Sequence, residues 1–440
     1  MIPFRFIHAA DLHLDSPFAG MSSVPDRLRE HLQQSTFAAL NHLVELAIAE
    51  QPDFIVISGD VYDASDSSLR AQLRLREAWE LLGRHGIPVY VIHGNHDPLN
   101  AGRLRLAHPE HVTVFGPAAE SVTALRRSDG EPVAVITGIS YPTSAVTENT
   151  SLQFRRDPSC SLFHIGLLHA NVDGQEGHDA YSPCSLRDLQ QSGYDYWALG
   201  HIHKRQILHE APWIVYPGNP QGRSLKETGP KGCYVVDVNG HGEARLSFRA
   251  LDTVRWQEAE LSIEGLANEE QLRDLAEELL EELREQASGR VQIVRLVLSG
   301  RGPLHAMLQT GTEGEELIQE LRRKESRRLE GEAPGLGPSA PVVWPAGLKV
   351  RTGADLDPEA MRQEDSFLGE LLRMADLAER EEELLEQIMG SALAAVSEDR
   401  RLRMLVRELG TEDQKALVRQ AAEMAVSLLA EQETKGGAQR

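Results

Sequence analysis

The sequence predicts an α/β protein of stacked layers, and three observations point to this class. From residue 1 to about 250, apolar runs of strand length alternate with amphipathic helical segments. Five of those runs end in a loop that carries Asp, Asn or His. The chain has 440 residues, which is too long for one simple core and suggests two or three domains.

The first 250 residues contain the strands on which the functional argument rests. The five apolar runs are, in order, FRFIHAA, FIVIS, IPVYVIH, LFHIGLL and YWAL. Helices are predicted at 35–49 and 68–85, between the first three runs. After His169 the pattern becomes β-rich, with RQILHE, PWIVYPGNP and GCYVVDV following YWAL. We therefore expect a second sheet packed on the first, with the polar loops on its rim.

The rest of the chain divides at about residue 355. Residues 251–355 contain a strand, an amphipathic helix, a second strand and a second helix, and then a Gly- and Pro-rich stretch at 330–341 that predicts a flexible linker. No cluster of ligand-type residues occurs there.

Residues 356–440 predict a helical tail. Its apolar positions recur at helical spacing, and Thr411 with Gln414 has the pattern of a capping box that opens a further helix. The spaced apolar residues are Leu368, Leu371, Leu372, Ala375, Leu402, Leu405, Val406 and Leu409.

Bulk composition is that of an ordinary soluble protein, with 41% apolar and 25% charged residues. No apolar run is long enough to span a bilayer, and the N-terminus lacks the pattern of a signal peptide. Cys160, Cys184 and Cys233 lie far apart without CxxC spacing, which fits the reducing cytoplasm. The net charge of −22 argues against indiscriminate DNA coating, but it neither predicts nor excludes a local phosphate-binding groove.

Seven potential metal ligands follow the five apolar runs. They are Asp11, His13, Asp60, Asn95, His169, His201 and His203. Because an open α/β sheet gathers ligands at the carboxyl ends of its strands, we expect these loops to converge. One metal ion needs only three or four protein ligands, whereas seven suit two divalent ions about 3.5–4 Å apart. Nitrogen and oxygen ligands without thiolate favour Mn, Fe or Zn.

The spacing within the clusters supports this interpretation. Asp11 and His13 are two residues apart, so on an extended segment they point to the same side, and the same holds for His201 and His203. Asp60 has two carboxylate oxygens and can bridge two cations, and Gly59 permits the bend that presents it. A lone buried histidine is more often a core residue, but four that each end an apolar strand beside Gly or Asp indicate a metal site.

His96 directly follows Asn95 and precedes Asp97. Neighbouring side chains on a loop diverge, so His96 can overhang the site without binding a metal. We expect it to be the general acid that protonates the leaving oxygen, with Asp97 orienting its ring.

The motifs DLH, GDVYD, GNHD, the isolated His169 and GHIH resemble the five phosphoesterase motifs of calcineurin-like metallophosphoesterases. Within that superfamily the chain resembles the SbcD-type DNA exonuclease subunits, and most closely their YhaO-like branch, on the strength of DLHLDSPF and YPGNP. The resemblance implies a two-sheet sandwich flanked by helices (1–250), then a small α/β capping domain (251–355) and a helical C-terminal tail (356–440).

The resemblance also assigns the ligands to two ions, usually Mn²⁺. One ion would be held by Asp11, His13, Asp60 and His203, and the other by Asp60, Asn95, His169 and His201. His96 would be the catalytic histidine. One position departs from the family pattern: Asp63 stands where the repair nucleases often have a second histidine, so the balance of exonuclease and endonuclease activity is open. GDVYD also lacks the arginine typical of Ser/Thr phosphatases, which argues against a phosphoprotein substrate.

By resemblance, the protein would be a two-metal DNA phosphodiesterase and 3′–5′ exonuclease in DNA repair. It would be a cytoplasmic homodimer whose tail binds an SMC-like ATPase of the SbcC or YhaN type. For the tail, packing on the protein's own core is an alternative. A phosphate track beside the metals, or ordinary solvated surface, is expected for the basic residues Lys204, Arg205, Arg223, Lys226 and Lys231.

Two other functions stay open at this point. The same five motifs occur in small-molecule phosphoesterases such as cyclic-nucleotide phosphodiesterases, although a small substrate does not need the 190 residues that follow position 250. A catalytically silent scaffold is the other alternative, and seven intact ligand positions argue against it.

Overall fold

The computed structural model describes residues 1–16, 18, 24–63, 68–100, 106–174, 181–310, 312–330, 341–355, 358–393 and 410–437. By packing, the chain divides into two compact units. The first comprises Met1–Glu258, Leu283–Val294 and Lys324–Trp344, and the second Ala259–Glu282, Arg295–Arg323 and Pro345–Arg440. The boundaries expected from the sequence, at about 250 and 355, stay a prediction. All three cysteines are free thiols.

Twelve strands form the two sheets of the first unit. They are β1 Phe4–Ala9, β2 Phe54–Ser58, β3 Val89–Ile92, β4 Val112–Val114, β5 Glu120–Leu125, β6 Pro132–Gly138, β7 Phe163–His169, β8 Tyr196–Gly200, β9 Gln206–Glu210, β10 Trp213–Tyr216, β11 Gly232–Val238 and β12 Ala244–Ala250. The first sheet has the order β12-β11-β1-β2-β3-β4, and the second has the order β5-β6-β7-β8-β10-β9. The expected two-sheet architecture is confirmed.

Helices cover the sheets of this unit. They are α1 Asp26–Glu50, α2 Leu69–Arg84 and α3 Leu186–Gln191, with a 3₁₀ turn at Thr150–Gln153. The second predicted helix, 68–85, matches α2, but α1 begins well before the predicted residue 35. Leu28 and Leu32 are both buried and extend the apolar face of α1 by two turns, which explains the longer helix.

The alternation of side chains in β1 shows how the layers are built. Phe4 and Phe6 point into the core between the two sheets, where they meet Phe163 and Tyr196 of the second sheet. Ile7, from the opposite face of β1, packs in the cluster that contains the buried residues of α1 and α2. The buried face of each strand therefore fixes where its carboxyl end, and the loop beyond it, can lie.

The last two strands of this unit differ from the expectation. The sequence suggested that the β-rich stretch after His169 belongs to the second sheet. However, β11 returns to the first sheet, where it pairs antiparallel with β1, and β12 pairs with β11. The strands whose ends carry the candidate ligands keep their parallel pairing, β1 with β2 and β2 with β3 in one sheet and β7 with β8 in the other.

The remaining elements are a small sheet and a set of helices. They are β13 Val254–Ser262, α4 Glu269–Gln286, β14 Val291–Ser299, α5 His305–Thr310, α6 Thr312–Leu329, β15 Val343–Val350, α7 Pro358–Gln363, α8 Phe367–Arg380, α9 Glu382–Ala392 and α10 Thr411–Gly437. The small sheet has the order β13-β14-β15. Strand β15 was not predicted, because its Pro and Gly interrupt the alternation. Residues 331–340 of the linker expected at 330–341 lie outside the described residues, as does the leucine repeat at 402–409.

The helical tail is confirmed, and one of its helices begins at Thr411, where a helix was expected. Within the tail, Leu368 and Leu372 of α8 are buried in one cluster with Val426 of α10. Among the described residues, no helix combines the length and the apolar character needed to cross a membrane.

Candidate metal centre

The seven candidate ligands come together where the carboxyl ends of the two sheets meet. The backbone there is held in unusual conformations, with a positive φ of 53° at Asp11, 42° at His13, 50° at Asp60 and 101° at His201. Non-glycine residues adopt positive φ only at an energetic cost, and such strain concentrates at functional sites. Three backbone hydrogen bonds tie the first two loops together, each 3.0 Å long. The N–H groups of Asp11, His13 and Leu14 donate to the carbonyls of Gly59, Asp60 and Val61, respectively.

Glycines before the ligands permit the close packing of these loops. A Cβ at Gly94 would collide with Asp60 Oδ1, and a Cβ at Gly200 would collide with the carbonyl oxygen of Ser58. Gly94 thus leaves room for the Asp60 side chain, and Gly200 lets two backbone segments approach closely.

Asp11, His13 and His203 form one group, which we call the Asp11 group. A ligand atom of each lies within 4.8 Å of the others. The Nε2 atoms of His13 and His203 are 3.0 Å apart. Asp11 Oδ1 accepts a hydrogen bond from His201 N–H at 3.0 Å, whereas Asp11 Oδ2 is buried with no hydrogen-bond partner among the residues that the structure describes.

Asn95, His169 and His201 form the other group, which we call the Asn95 group. Asn95 Oδ1 lies 3.0 Å from His169 Nε2 and 3.2 Å from His201 Nδ1. Three potential ligand atoms thus surround one small space.

Asp60 lies between the two groups. Its Oδ2 is 3.8 Å from His13 Nε2 and 3.3 Å from His169 Nε2. Its Oδ1 accepts a hydrogen bond from the backbone N–H of His96 at 2.9 Å, which fixes the carboxylate. This is the position that a carboxylate bridging two cations requires.

Three of the four histidines have the partner typical of a metal-bound imidazole on their other ring nitrogen. Nδ1 of His169 lies 2.9 Å from the carbonyl oxygen of Ser58. Nδ1 of His13 lies 3.0 Å from Asp63 Oδ1, and Nδ1 of His203 lies 2.7 Å from Glu227 Oε1. Each acceptor fixes a proton on Nδ1, so Nε2 is the ring nitrogen that faces the centre and is available to a cation.

These atoms fit a pair of divalent cations. Two Nε2 lone pairs that face each other at 3.0 Å repel unless a positive charge lies beside them. Two nitrogens that bind one ion at about 2.1 Å and at a right angle are about 3.0 Å apart. The buried Oδ2 of Asp11, which has no hydrogen-bond donor within the described part of the chain, also calls for a cation. Nitrogen and oxygen donors of this kind suit Mn, Fe or Zn.

The electrostatics point the same way. Burial would lower the pKa of His169, yet the charges of Asp60 and Asp11 raise this pKa to about 9. Burial would raise the pKa of Asp60, but His169, His13 and His96 hold it below its usual value. The centre thus attracts positive charge, in the form of protons when no cation is bound.

His96 lies beside these groups, with its side chain 44% exposed, and its Nδ1 is 2.8 Å from Asp63 Oδ1. The hydrogen bond to Asp63 raises the pKa of His96 above its ordinary value, against the effect of burial. The expectation that Asp97 orients this ring is wrong. The Asp97 carboxylate instead accepts from the N–H groups of Val61 and Gly94 and lies 2.8 Å from His93 Nδ1, so it fixes the loops.

Sequence reasoning missed two residues that support the candidate ligands, and the structure adds contacts for two of the basic residues. Glu227 was not singled out, and Asp63 was noted only as a departure, although both hold histidines of the centre. Of the basic residues proposed to line a phosphate track, Lys231 is buried and donates to the carbonyl of His203 at 2.8 Å. Arg205 stacks on the ring of Phe248, 3.9 Å from its centroid. For Glu227, the only signal in the sequence was its place in a cluster of charged residues shortly after YPGNP.

Comparison with known proteins assigns the chain to a family. Residues 4–205 match the calcineurin-like phosphoesterase family, and residues 256–353 match the middle domain of metallophosphoesterase YhaO. The metallophosphoesterase YhaO of Bacillus subtilis is 40% identical over 375 residues, which cover 84% of this chain and 86% of that protein.

Two more distant relatives each align with about half of the chain. The DNA double-strand break repair protein Mre11 of Aeropyrum pernix is 28% identical over 54% of this chain and 58% of its own length. The SbcD component of the Escherichia coli SbcCD nuclease is 28% identical over 52% of this chain and 64% of its own length. With its fold, its clustered ligands and these relatives, the chain belongs to the calcineurin-like metallophosphoesterases, in the branch that contains YhaO and is related to the SbcD and Mre11 nucleases.

Proposed function

We propose that this protein is a two-metal phosphodiesterase that degrades DNA as a 3′–5′ exonuclease, with Mn²⁺ as its metal. The observation that carries the proposal is the position of Asp60 Oδ2, 3.8 Å from a histidine nitrogen of the Asp11 group and 3.3 Å from one of the Asn95 group. A carboxylate placed between two sets of nitrogen and oxygen donors is what a bridged pair of ions needs.

In this mechanism Asp11, His13 and His203 would hold one ion, and Asn95, His169 and His201 would hold the other. Asp60, which lies between the two groups, would contribute to both. When bound, such a pair of cations stabilises the charge on the phosphoryl group and activates water as a nucleophile near neutral pH.

His96 donates the proton that the leaving oxygen needs. Its Nδ1 is engaged by Asp63, so its Nε2 is the atom that holds the transferable proton. The hydrogen bond to Asp63 raises the pKa of His96, which favours the protonated ring, and the partly exposed ring can reach a leaving oxygen outside the ligand groups. His96 therefore acts as the general acid, and Asp63 keeps its ring in position.

DNA as the substrate is supported by the relatives rather than by the centre itself. Two of the related proteins are named as part of a nuclease and as a DNA double-strand break repair protein. The match to the YhaO middle domain, at residues 256–353, adds a segment that a small substrate does not require. A role in DNA repair, which the name of the Mre11 relative supports, and a cytoplasmic location are further parts of the proposal.

The tail is the proposed site for an SMC-like ATPase partner of the SbcC or YhaN type. The leucines first considered for this role are partly used inside the tail, since Leu368 and Leu372 are buried beside Val426. Phe367 and Met374, by contrast, are 70% and 47% exposed and lie seven residues apart on α8, on one face of the helix. Exposed apolar side chains on one helical face support a docking role.

A nuclease assay with Mn²⁺ tests the proposed activity. Duplex DNA labelled at either end should lose nucleotides from its 3′ end, while cyclic nucleotides should stay intact. His96→Gln should still bind two Mn²⁺ per chain and should cleave DNA about 10²- to 10⁴-fold more slowly. His241→Gln, which changes an exposed histidine, is the matched control and should behave like wild type.

Other outcomes have clear meanings. Hydrolysis of cyclic nucleotides without cleavage of DNA would establish the small-molecule alternative. Purified protein that binds no metal and hydrolyses nothing would support a silent scaffold.

The proposed assembly is tested separately from the chemistry. Sedimentation should show a homodimer. The double variant Phe367→Ser and Met374→Ser should bind the ATPase at least about tenfold more weakly, yet hydrolyse bis-p-nitrophenyl phosphate at the wild-type rate. Leu152→Ser, which changes a residue that is 59% exposed in the first unit, is the control. Unchanged binding by the double variant would remove α8 from the interface.

A further inference from the structure

Arg223 is neither a candidate metal ligand nor the proposed general acid, yet it contacts residues that support both. It follows strand β10 and the YPGNP turn, and its guanidinium lies between two carboxylates that each support a histidine of the centre. We propose that Arg223 is a positioning residue that holds Asp63 and Glu227 in place, and thereby fixes His13, His96 and His203. This inference rests on the proposed function and extends it to a residue behind the ligands.

The first contact is with Asp63. Arg223 Nη1 donates to Asp63 Oδ2 at 3.1 Å and to Ser16 Oγ at 2.9 Å. The other oxygen of Asp63, Oδ1, lies 3.0 Å from His13 Nδ1 and 2.8 Å from His96 Nδ1. One carboxylate thus supports a ligand and the general acid together, and Arg223 prevents its rotation.

The second contact is with Glu227. Arg223 Nη2 lies 3.6 Å from Glu227 Oε1, and the backbone N–H of Arg223 donates to Glu227 Oε2 at 2.7 Å. Oε1 of the same carboxylate lies 2.7 Å from Nδ1 of His203. Asn219 Nδ2 donates to Oε2 at 3.0 Å and closes the arrangement.

Burial makes this arrangement different from an ordinary surface ion pair. The side chains of Arg223, Asp63 and Glu227 are only 17%, 13% and 13% exposed. Removing one member of such a buried cluster leaves the charges of the others uncompensated. Exposed ion pairs, by contrast, contribute little to stability.

The geometry also favours positioning over phosphate binding. Both protons of Arg223 Nη1 are used by Ser16 and Asp63, and its Nε is buried without a hydrogen-bond partner among the described residues. A guanidinium that recognises phosphate needs N–H groups that point toward solvent. The planar fork of arginine spans two carboxylates in a way that the single ammonium of lysine cannot.

The backbone that carries Arg223 is itself anchored on both sides. Trp256 Nε1 donates to the carbonyl of Gly222 at 2.8 Å, and Gln221 Nε2 donates to the carbonyl of Val254 at 2.7 Å. Both contacts are buried, so the residues directly before Arg223 cannot shift freely. A supporting side chain is effective only when its own backbone is fixed in this way.

The first test measures Mn²⁺ binding to the full-length protein, without any substrate, by equilibrium dialysis. Arg223→Met should bind one of the two Mn²⁺ ions about 10- to 100-fold more weakly than wild type, because the carboxylates that support His13 and His203 are no longer held in place. Arg223→Lys should recover part of this loss, since it restores the charge but not the fork. Arg156→Met is the control: Arg156 has a similar exposure of 27% and pairs with Asp195, and its substitution should leave both affinities unchanged.

The second test compares leaving groups at saturating Mn²⁺. With bis-p-nitrophenyl phosphate the leaving phenolate needs little protonation, whereas a dinucleotide releases an alkoxide that requires the general acid. If Arg223 also positions His96 through Asp63, kcat should fall at least about tenfold further on the dinucleotide than on the phenyl ester. In the double variant Arg223→Met and Asp63→Asn, kcat should fall no further than in the more severe single variant.

Two results would overturn the inference. One is wild-type Mn²⁺ affinity in both Arg223 variants. The other is an equal fall in kcat on both leaving groups with additive effects in the double variant. If Arg223→Met does not fold, Arg223→Lys and Glu227→Gln carry the binding test. A failure of the nuclease proposal would be distinct, because metal binding is measured without DNA.

Discussion

The two halves of the candidate metal centre are built from similar residues but are held in different ways. In the Asn95 group, His169 is fully buried and its Nδ1 is held by a backbone carbonyl, that of Ser58. In the Asp11 group, His13 and His203 are held by the side chains of Asp63 and Glu227, and Arg223 ties these together. One half is therefore fixed by the fold itself, and the other by a charged network.

This difference suggests a division of roles. A support made of backbone changes only if the sheet moves, so the Asn95 group should be rigid and insensitive to single substitutions around it. A support made of side chains can differ among relatives without any change of fold. His96, the proposed general acid, belongs to the side supported by Asp63, where changes would alter the proposed chemistry most directly. Four predictions break or sharpen this comparison.

The largest effect is expected from Asp60→Asn, which removes the charge that the two halves share. Both ions should be weakened, and phosphodiesterase activity should fall on the order of 10³-fold or more, because the metal pair contributes several kcal/mol to transition-state stabilisation. Metal analysis together with rate measurements checks this. Asp237→Asn, at a carboxylate that pairs with Arg5, is the control. Loss of only one ion would show that Asp60 does not bridge.

A large loss of stability is expected from Gly200→Ala, in the half held by backbone. The added methyl group would collide with the carbonyl of Ser58, so either the strand or the loop must shift. Overpacking of this kind should lower the free energy of unfolding by about 3 kcal/mol, as measured by urea denaturation. Gly130→Ala, with open space around its Cβ but with a positive φ, controls for the loss of glycine itself. Equal stability of the two variants would contradict close packing at Gly200.

A smaller effect, on the affinity for only one of the two Mn²⁺ ions, is expected from Glu227→Gln. The amide keeps its shape but loses the charge that supports Nδ1 of His203. One Mn²⁺ should bind about 10- to 100-fold more weakly, while the ion of the Asn95 group keeps its affinity. Titration of apo-protein with Mn²⁺ distinguishes the two steps. If both steps weaken equally, the two halves are not supported independently.

The smallest effect concerns His8, which lies on β1, with its Nδ1 3.0 Å from the hydroxyl oxygen of Tyr196. Burial lowers the pKa of His8 from 6.5 to about 3, so the unfolded chain takes up a proton first as the pH falls. The contribution of His8 to the free energy of unfolding is therefore fully present above pH 6.5 and is lost progressively between pH 6.5 and pH 3. At pH 5.5 this amounts to about 1.4 kcal/mol for one group.

His8→Gln removes this contribution and leaves the other titrating groups in place. The difference in unfolding free energy between wild type and His8→Gln should change by about 1.4 kcal/mol between pH 8 and pH 5.5, in favour of the variant at the lower pH. A difference that does not depend on pH would mean that His8 takes up its proton equally in the folded and unfolded chain.

Much of the centre is predictable because its ligands lie at a fixed place in the local pattern. Each of Asp11, Asp60 and His169 follows a buried strand or ends it, and the end of a strand is visible as the end of an apolar run. The supports of the ligands are not predictable in this way. Asp63 and Arg223 are 160 residues apart, and no local pattern marks them as partners.

The amino-acid sequence alone determined the type of most elements and the chemistry at the strand ends, because both depend on periodicity and on neighbouring residues. Only the tertiary structure decided that β11 and β12 join the first sheet and that Asp63, rather than Asp97, holds His96. Strand pairing and hydrogen-bond partners depend on which distant surfaces pack together. A neighbour in the chain, such as Asp97 beside His96, can point to a different loop, while a residue more than 30 positions away becomes the partner in space.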